Sequence, residues 1–179
     1  MVALNVAEAG GIPEEVLSGW RSEYGHKAEE NFEAVLVGKL GVEPLKEEPS
    51  EAKAGELAKK GKIAVMRASP KEDFEKGIDF HLFNPLTGKT VSVDISVSKD
   101  PTVHMKKRER EKTEGVRFLP LSARTLELAA RGGERDLREI WQSVNRLLLS
   151  DALDQARSGE IQIPQERLAG IERKLAELH

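Results

Sequence analysis

The sequence lacks the residues that mark several classes of protein. It has no cysteine among its 179 residues, which excludes disulfide bonds and thiolate-bound zinc. Aromatic residues make up only 4% of the chain, too few to predict a stacking surface for single-stranded nucleic acid. The formal net charge is −3, so nucleic-acid binding does not follow from overall charge. The function must therefore be inferred from local patterns.

Long hydrophobic runs are also absent. No apolar run reaches the roughly 18–20 residues of a membrane span, and the N-terminus lacks the basic start and apolar core of a signal peptide. Hydrophobic residues account for 39% of the chain and charged residues for 33%, which is typical of a globular protein with charge-rich helices. We therefore expect a soluble, cytoplasmic protein without membrane contacts.

The clearest local pattern is a β-hairpin at residues 77–97. Its second arm alternates apolar and polar residues with the period of two of a half-buried strand, and residues 84–89 (NPLTGK) carry turn signals. The expected register pairs Phe83 with Thr90 and His81 with Ser92. The same register places Asp79 opposite Asp94.

Two opposed carboxylates need an explanation, because like charges directly across a strand pair are unfavourable. A divalent cation or a raised pKa would relieve the repulsion between Asp79 and Asp94. The alternative is a hairpin whose polar residues simply face solvent. The strand pattern alone leaves both open.

The remaining elements suggest an α/β fold. We predict a helix from Ser22 or His26 to Lys39, a strand at residues 62–68, a connecting loop at 69–76, a helix at 103–113 and a strand at 115–121. Residues 43–61 are expected to form a surface loop or a loose helix. Helices then follow at 123–131 and 137–157 and from Pro164. This order divides the chain into an α/β core (residues 1–121) and a helical extension (122–179).

Two acids fall on the apolar stripe of the first helix. At 100° per residue, Glu29 and Glu33 lie beside Phe32, Leu36 and Leu40. A carboxylate there is costly unless it is paired or ligated, although either side chain could also reach water at the rim of the stripe.

These elements and acids together resemble the restriction-endonuclease-like, or PD-(D/E)xK, nuclease superfamily, whose core is an α-β-β-β-α-β unit. The likeness covers about residues 22–121. The motifs that carry it are Gly25-His26-Lys27-Ala28-Glu29, similar to the opening helix of Holliday-junction-resolvase-like members, Gly77-Ile78-Asp79, and Val93-Asp94-Ile95-Ser96. The resemblance implies a nuclease that hydrolyses DNA, with Mg²⁺ or Mn²⁺ held by Asp79, Asp94, the Ile95 carbonyl and Glu29.

The chain departs from the family pattern at one position. Ser96 stands where the acid-x-lysine motif has its lysine. Lys99 is a candidate for the catalytic lysine if a turn at Ser98 re-aims it, and Lys106 or Lys107 on the following helix could also reach the site. The loss of the motif lysine raises the alternative of a catalytically inactive domain of this fold that binds nucleic acid or a protein partner.

A basic segment follows the hairpin. Residues 99–117 hold seven basic residues against four acidic ones in a chain that is acidic overall. Lys106, Lys107 and Arg110 would lie within one turn of each other, and such a face could contact the DNA phosphate backbone. The interleaved glutamates also suit an ordinary solvated helix.

The C-terminal residues offer a second apolar stripe. It consists of Leu168, Ile171, Leu175 and Leu178, and it predicts either a packed terminal helix or an interface, the latter compatible with a homodimer. Trp20 and Trp141 are expected to anchor the core. An unrelated helix-rich interaction module is a third interpretation, and it predicts no metal binding and tolerance of Asp94→Ala.

Overall fold

A five-stranded sheet with helices on both faces forms the centre of the protein. The structure is a computed structural model that describes residues 23–178, in which there are seven helices and five strands. The helices are α1 (Glu23–Gly38), α2 (Glu51–Lys59), α3 (Pro70–Lys76), α4 (Pro101–Glu114), α5 (Ala123–Ala130), α6 (Glu134–Arg157) and α7 (Gln165–Glu177). The strands are β1 (Glu43–Pro44), β2 (Ala64–Arg67), β3 (Phe80–Asn84), β4 (Lys89–Ser96) and β5 (Arg117–Pro120). The α/β class expected from the sequence is confirmed.

The sheet is mixed, with strand order β1-β2-β3-β4-β5. The strands β2, β3 and β4 are antiparallel neighbours, whereas β1 runs parallel to β2 and β5 parallel to β4. Phe83 pairs with Thr90 and His81 with Ser92, so the hairpin register predicted from the sequence is confirmed. The helix α4 makes the crossover that a parallel β4–β5 pair requires.

The main core lies between one face of the sheet and helices α1, α5 and α6. Its fully buried large side chains come from all of these elements: Phe32, Leu36, Phe80, Leu82, Leu126, Ile140 and Val144. The opposite face is covered by α2, through a small cluster around Leu57 and Phe83, and by α4, whose His104 ring lies 5.3 Å from the ring of Phe118. The sheet is therefore the middle layer of three.

The helical extension packs on this core. Helices α5 and α6 belong to the main cluster, and Trp141 on α6 packs against it as expected. The C-terminal apolar stripe on α7 packs against the second half of α6. Ile171, in the middle of this stripe, is only 4% exposed. Asn84, at the end of β3, ties the hairpin turn to α6, because its Nδ2 donates to the Leu148 carbonyl at 2.9 Å.

Two local predictions were wrong or incomplete. Residues 69–76 form helix α3 rather than a loop, because Ser69 and Glu72 make a reciprocal capping box, Pro70 starts the helix and Gly77 ends it in the left-handed region. Residues 43–61 contain the short edge strand β1 as well as the regular helix α2. Trp20 lies outside the described residues. None of the helices within residues 23–178 combines the length and the apolar composition that a membrane span requires.

Candidate functional site

An open hollow of about 540 Å³ lies at the end of the sheet where β4 ends and β3 begins. Helix α1 contributes Glu29 and Ala28 to its wall, and α4 contributes Lys107. Asp79 and the end of β4, beginning at Ile95, also line it. The hollow is therefore the place where the elements that carry the sequence-predicted acids converge.

The backbone of Asp79 is held by both neighbouring strands. Its N–H donates to the Val93 carbonyl at 2.9 Å, and its carbonyl accepts the Ala68 N–H at 3.0 Å. The side chain is fixed as well, because Oδ2 accepts the Ile95 N–H at 2.7 Å. These contacts extend the sheet by one residue beyond β3 and set the Asp79 carboxyl at the floor of the hollow.

Asp94 is buried beside Asp79 and contacts a lysine from α4. Its side chain is 8% exposed, and Oδ1 accepts a hydrogen bond from Lys107 Nζ. The same Nζ donates to the Ile95 carbonyl at 3.0 Å. The lysine ammonium thus donates hydrogen bonds to two of the oxygens that the family resemblance assigns to a metal ion.

Burial raises the pKa of both aspartates. For Asp79 the rise is to about 7, caused first by desolvation and then by the charge of Asp94. Burial also raises the pKa of Asp94, but the Lys107 ammonium opposes this rise. Within residues 23–178, Asp94 makes an ion pair, with Lys107, and Asp79 makes none, so we assign the proton of the pair to Asp79 when no further cation is present.

The two glutamates on the apolar stripe of α1 have different surroundings. Glu29 lines the hollow, is 12% exposed, and its charge acts on Asp79. Glu33 instead accepts a hydrogen bond from Arg67 Nε at 2.5 Å, outside the hollow. The stripe position of Glu33 is thus explained by an ion pair with β2, and Glu29 is the acid that faces the site.

Of the other predicted basic residues, Lys99 lines the hollow, whereas Lys106 and Arg110 do not. Lys99 lines the hollow, as does Ser96, which is buried and occupies the position of the motif lysine. Lys106 is exposed and does not line the hollow. Arg110 donates to the Lys76 carbonyl and to Glu114, so it braces α3 rather than facing the site.

His81 is a neighbour of the site but has its own partners. Its Nδ1 lies 3.2 Å from Ser92 Oγ, and Nε2 lies 3.4 Å from Glu72 Oε1. These contacts link β3 to β4 and α3, which agrees with a structural role on the polar face of the hairpin.

Lys107 was predicted primarily as a nucleic-acid contact, with Lys106 or Lys107 named as residues that could also reach the site, and of these two the structure places Lys107 in the hollow. Helix α4 is capped by Asp100, whose side chain accepts the Thr102 N–H at 2.8 Å, and it begins at Pro101. Lys107 follows Val103 by one helical turn, and both are partly buried. In the sequence, only Val103 and His104 indicate which side of this polar helix faces the sheet. Two residues are a weak signal.

The oxygen atoms at the hollow suit a small hard cation. Asp79, Asp94 and the Ile95 carbonyl form an oxygen-only donor set, and Lys107 shows that two of these oxygens accept a positive charge. Within residues 23–178 there is no group of three or more histidine, cysteine, aspartate or glutamate side chains placed to hold a metal ion. Two carboxylates remain compatible with Mg²⁺, which keeps several waters and uses one or two protein carboxylates.

Comparisons with protein-family models, with curated proteins and with solved structures found no match for this chain.

Proposed function

We propose that the protein is a metal-dependent nuclease that hydrolyses DNA phosphodiester bonds and has a PD-(D/E)xK-like core. The observation that carries the proposal is that Asp79 and Lys107 line one open hollow and that Lys107 donates a hydrogen bond to the buried carboxylate of Asp94. One buried acid, one partly buried acid and a partly buried lysine, brought together from separate parts of the chain, are costly to fold and typical of a reactive site.

The order of elements supports the nuclease-like core. Helix α1, strands β2, β3 and β4, helix α4 and strand β5 follow one another as α-β-β-β-α-β. Strand β1 and helices α2 and α3 are additions between these elements. The two acids lie at the start of the second core strand and near the end of the third, which are the positions that the resemblance assigns to them.

The acids would hold the ion together with a backbone oxygen. Asp79, Asp94 and the Ile95 carbonyl would bind Mg²⁺ or Mn²⁺, which supplies Lewis acidity toward the phosphate and acidifies water at neutral pH. Asp79 would lose its proton on binding the ion, because the positive charge would offset the burial and the Asp94 charge that raise its pKa. Glu29, in the wall beside Asp79, adds negative charge and a hydrogen-bond acceptor for a water molecule.

Lys107 takes the role of the missing motif lysine. Its ammonium donates a hydrogen bond to the carboxylate of Asp94. A cation at this point stabilises the negative charge that develops on a phosphate during hydrolysis. Lys99, on the rim of the same hollow, is placed to attract the substrate phosphate.

The proposal is tested by cleavage of labelled linear, single-stranded and branched DNA with Mg²⁺ or Mn²⁺. We expect Asp94→Asn to reduce cleavage by at least about 100-fold, because the substitution keeps the shape of the side chain but removes its charge. Glu109→Gln, an exposed acid on α4 outside the hollow, is the matched control and should cleave normally. Equal cleavage by the wild type and Asp94→Asn would refute the assigned site.

A second candidate is an inactive domain of the same fold that binds nucleic acid or a protein partner. The observation in its favour is that Lys107 neutralises Asp94 without a metal ion, while Ser96 replaces the motif lysine. This alternative is favoured if the wild type binds DNA but cleaves none of the substrates with either metal ion.

A further inference from the structure

We infer that the phosphate backbone of the nucleic acid runs from the site into a groove between α1 and α5, not along the basic helix α4. This inference rests on the proposed function and adds the path of the substrate to it. It concerns residues outside the basic segment on which the sequence-based prediction of DNA contact was founded.

The groove adjoins the site. A second hollow, of about 520 Å³, lies between α1 and α5, and Ala28 lines both this hollow and the one that holds Asp79. Ala28 is a small residue that is only 6% exposed, so the residue that the two hollows share does not itself obstruct the way between them. We therefore place the path of the phosphate backbone across Ala28.

The groove has the charge that a phosphate backbone requires. Lys27, Arg124 and Arg131 line it against a single acid, Glu127, and Asn31 adds a neutral hydrogen-bonding side chain. Exposed lysine and arginine side chains are the usual contacts to phosphate oxygens and carry no sequence preference by themselves.

The ion pairs already present in the groove do not prevent such contacts. Lys27 Nζ lies 3.2 Å from Glu30, and Arg131 pairs with Glu127, but the side chains of both cations are about two-thirds exposed or more. Exposed pairs of this kind contribute little to stability, because water and salt screen the charges. A phosphate group can therefore replace the carboxylate partner at little cost.

Helix α4 is less suited to the same task. Lys107 and Arg110 are bound to Asp94 and to the Lys76 carbonyl, respectively. The exposed cations Arg108 and Lys112 do not line the site hollow, and glutamates alternate with them along the helix. This arrangement is typical of a solvated helix surface.

The test compares two double charge reversals that change the net charge equally. Arg124→Glu with Arg131→Glu alters the groove, and Arg108→Glu with Lys112→Glu alters α4. Binding of labelled DNA duplex, RNA duplex and single-stranded DNA is measured by fluorescence anisotropy with Ca²⁺ instead of Mg²⁺, over a range of salt concentrations. All four positions are exposed, and circular dichroism checks that each variant is folded.

We expect the groove variant to bind at least about 10-fold more weakly, with a salt slope reduced by about two, and the α4 variant to change less than about threefold. A loss with one type of nucleic acid identifies the substrate of the groove. An equal or larger loss in the α4 variant overturns the inference while leaving the proposed nuclease intact. Wild-type protein that binds none of the three nucleic acids and cleaves no linear, single-stranded or branched DNA would instead refute the proposed function itself.

Discussion

Lys107 lies where its positive charge would repel a bound metal ion. Its ammonium contacts the Asp94 carboxylate and the Ile95 carbonyl, which are two of the oxygens proposed to hold the metal ion. A divalent ion on these oxygens would lie close to the ammonium in a partly buried site, where repulsion is stronger than in water. Metal binding and the retained contact of Lys107 with both oxygens therefore oppose each other.

This opposition predicts a divergence between binding and catalysis in Lys107→Ala. We expect the variant to bind Mn²⁺ about 10-fold more tightly, because the competing charge is gone, and to cleave DNA at least about 100-fold more slowly. Binding is measured by titration calorimetry or by the electron paramagnetic resonance of free Mn²⁺. Lys106→Ala, the exposed neighbour, should change neither quantity. Weaker Mn²⁺ binding by Lys107→Ala would show that the lysine assists the metal site rather than competing with it.

The sequence predicted the acids of the site better than the lysine. The relative positions of Asp79 and Asp94 follow from short-range rules, since the strand period and the length of the turn determine the register. The contact of Lys107 with Asp94 depends on how α4 is rotated and placed on the sheet. That placement is set by side chains such as Phe118, over whose ring Lys107 Nζ lies at 5.8 Å, and no local pattern encodes it.

At the scale of elements, the hairpin is held at both ends. Near the site, the backbone of Asp79 bonds to both neighbouring strands, and at the turn Asn84 is fully buried against α6. Asn84 Nδ2 donates to the Leu148 carbonyl and to Asp151 Oδ2, and its Oδ1 accepts the Leu86 N–H. The turn is thus fixed by α6 as well as by its own sequence.

We therefore expect Asn84→Ala to lower the free energy of unfolding by about 2–3 kcal/mol. The substitution removes three hydrogen bonds at a buried position, including one of the two that Asp151 Oδ2 accepts. Urea denaturation measures the change. Thr87→Ala, in the same turn but partly exposed, is the control and should cost less than about 1 kcal/mol. A cost below that of the control would mean that α6 does not fix the turn.

Helix α3 was predicted as a loop, although its sequence carries local signals for the start and the end of a helix. Its signals are the capping box of Ser69 and Glu72 and the glycine at position 77, all local and all readable. The helix has no buried residue, so it lacks the apolar periodicity on which helix prediction chiefly depends. The two-residue edge strand β1, by contrast, exists only because β2 lies beside it.

At the scale of the whole molecule, the sheet and the helical extension share one hydrophobic core. Ile140 and Val144 on α6 belong to the same cluster as Phe32 on α1 and Val93 on β4, and all four are fully buried. The boundary placed near residue 121 on sequence grounds separates strands from helices, but the packing continues across it. A segment that contributes to the main core should unfold together with the sheet.

This shared core predicts that Ile140→Ala destabilises the sheet as well as α6. The cavity left by the isoleucine should lower the free energy of unfolding by about 2–4 kcal/mol. Because the loss is global, hydrogen exchange should accelerate equally at the slowest amides of β4 and of α6. Leu128→Ala on α5, where the side chain is 37% exposed, should cost less than about 1 kcal/mol and serves as the control. Faster exchange confined to α6, with β4 unchanged, would instead make the helical extension an independently unfolding unit, and the site at the end of β4 would then not depend on it.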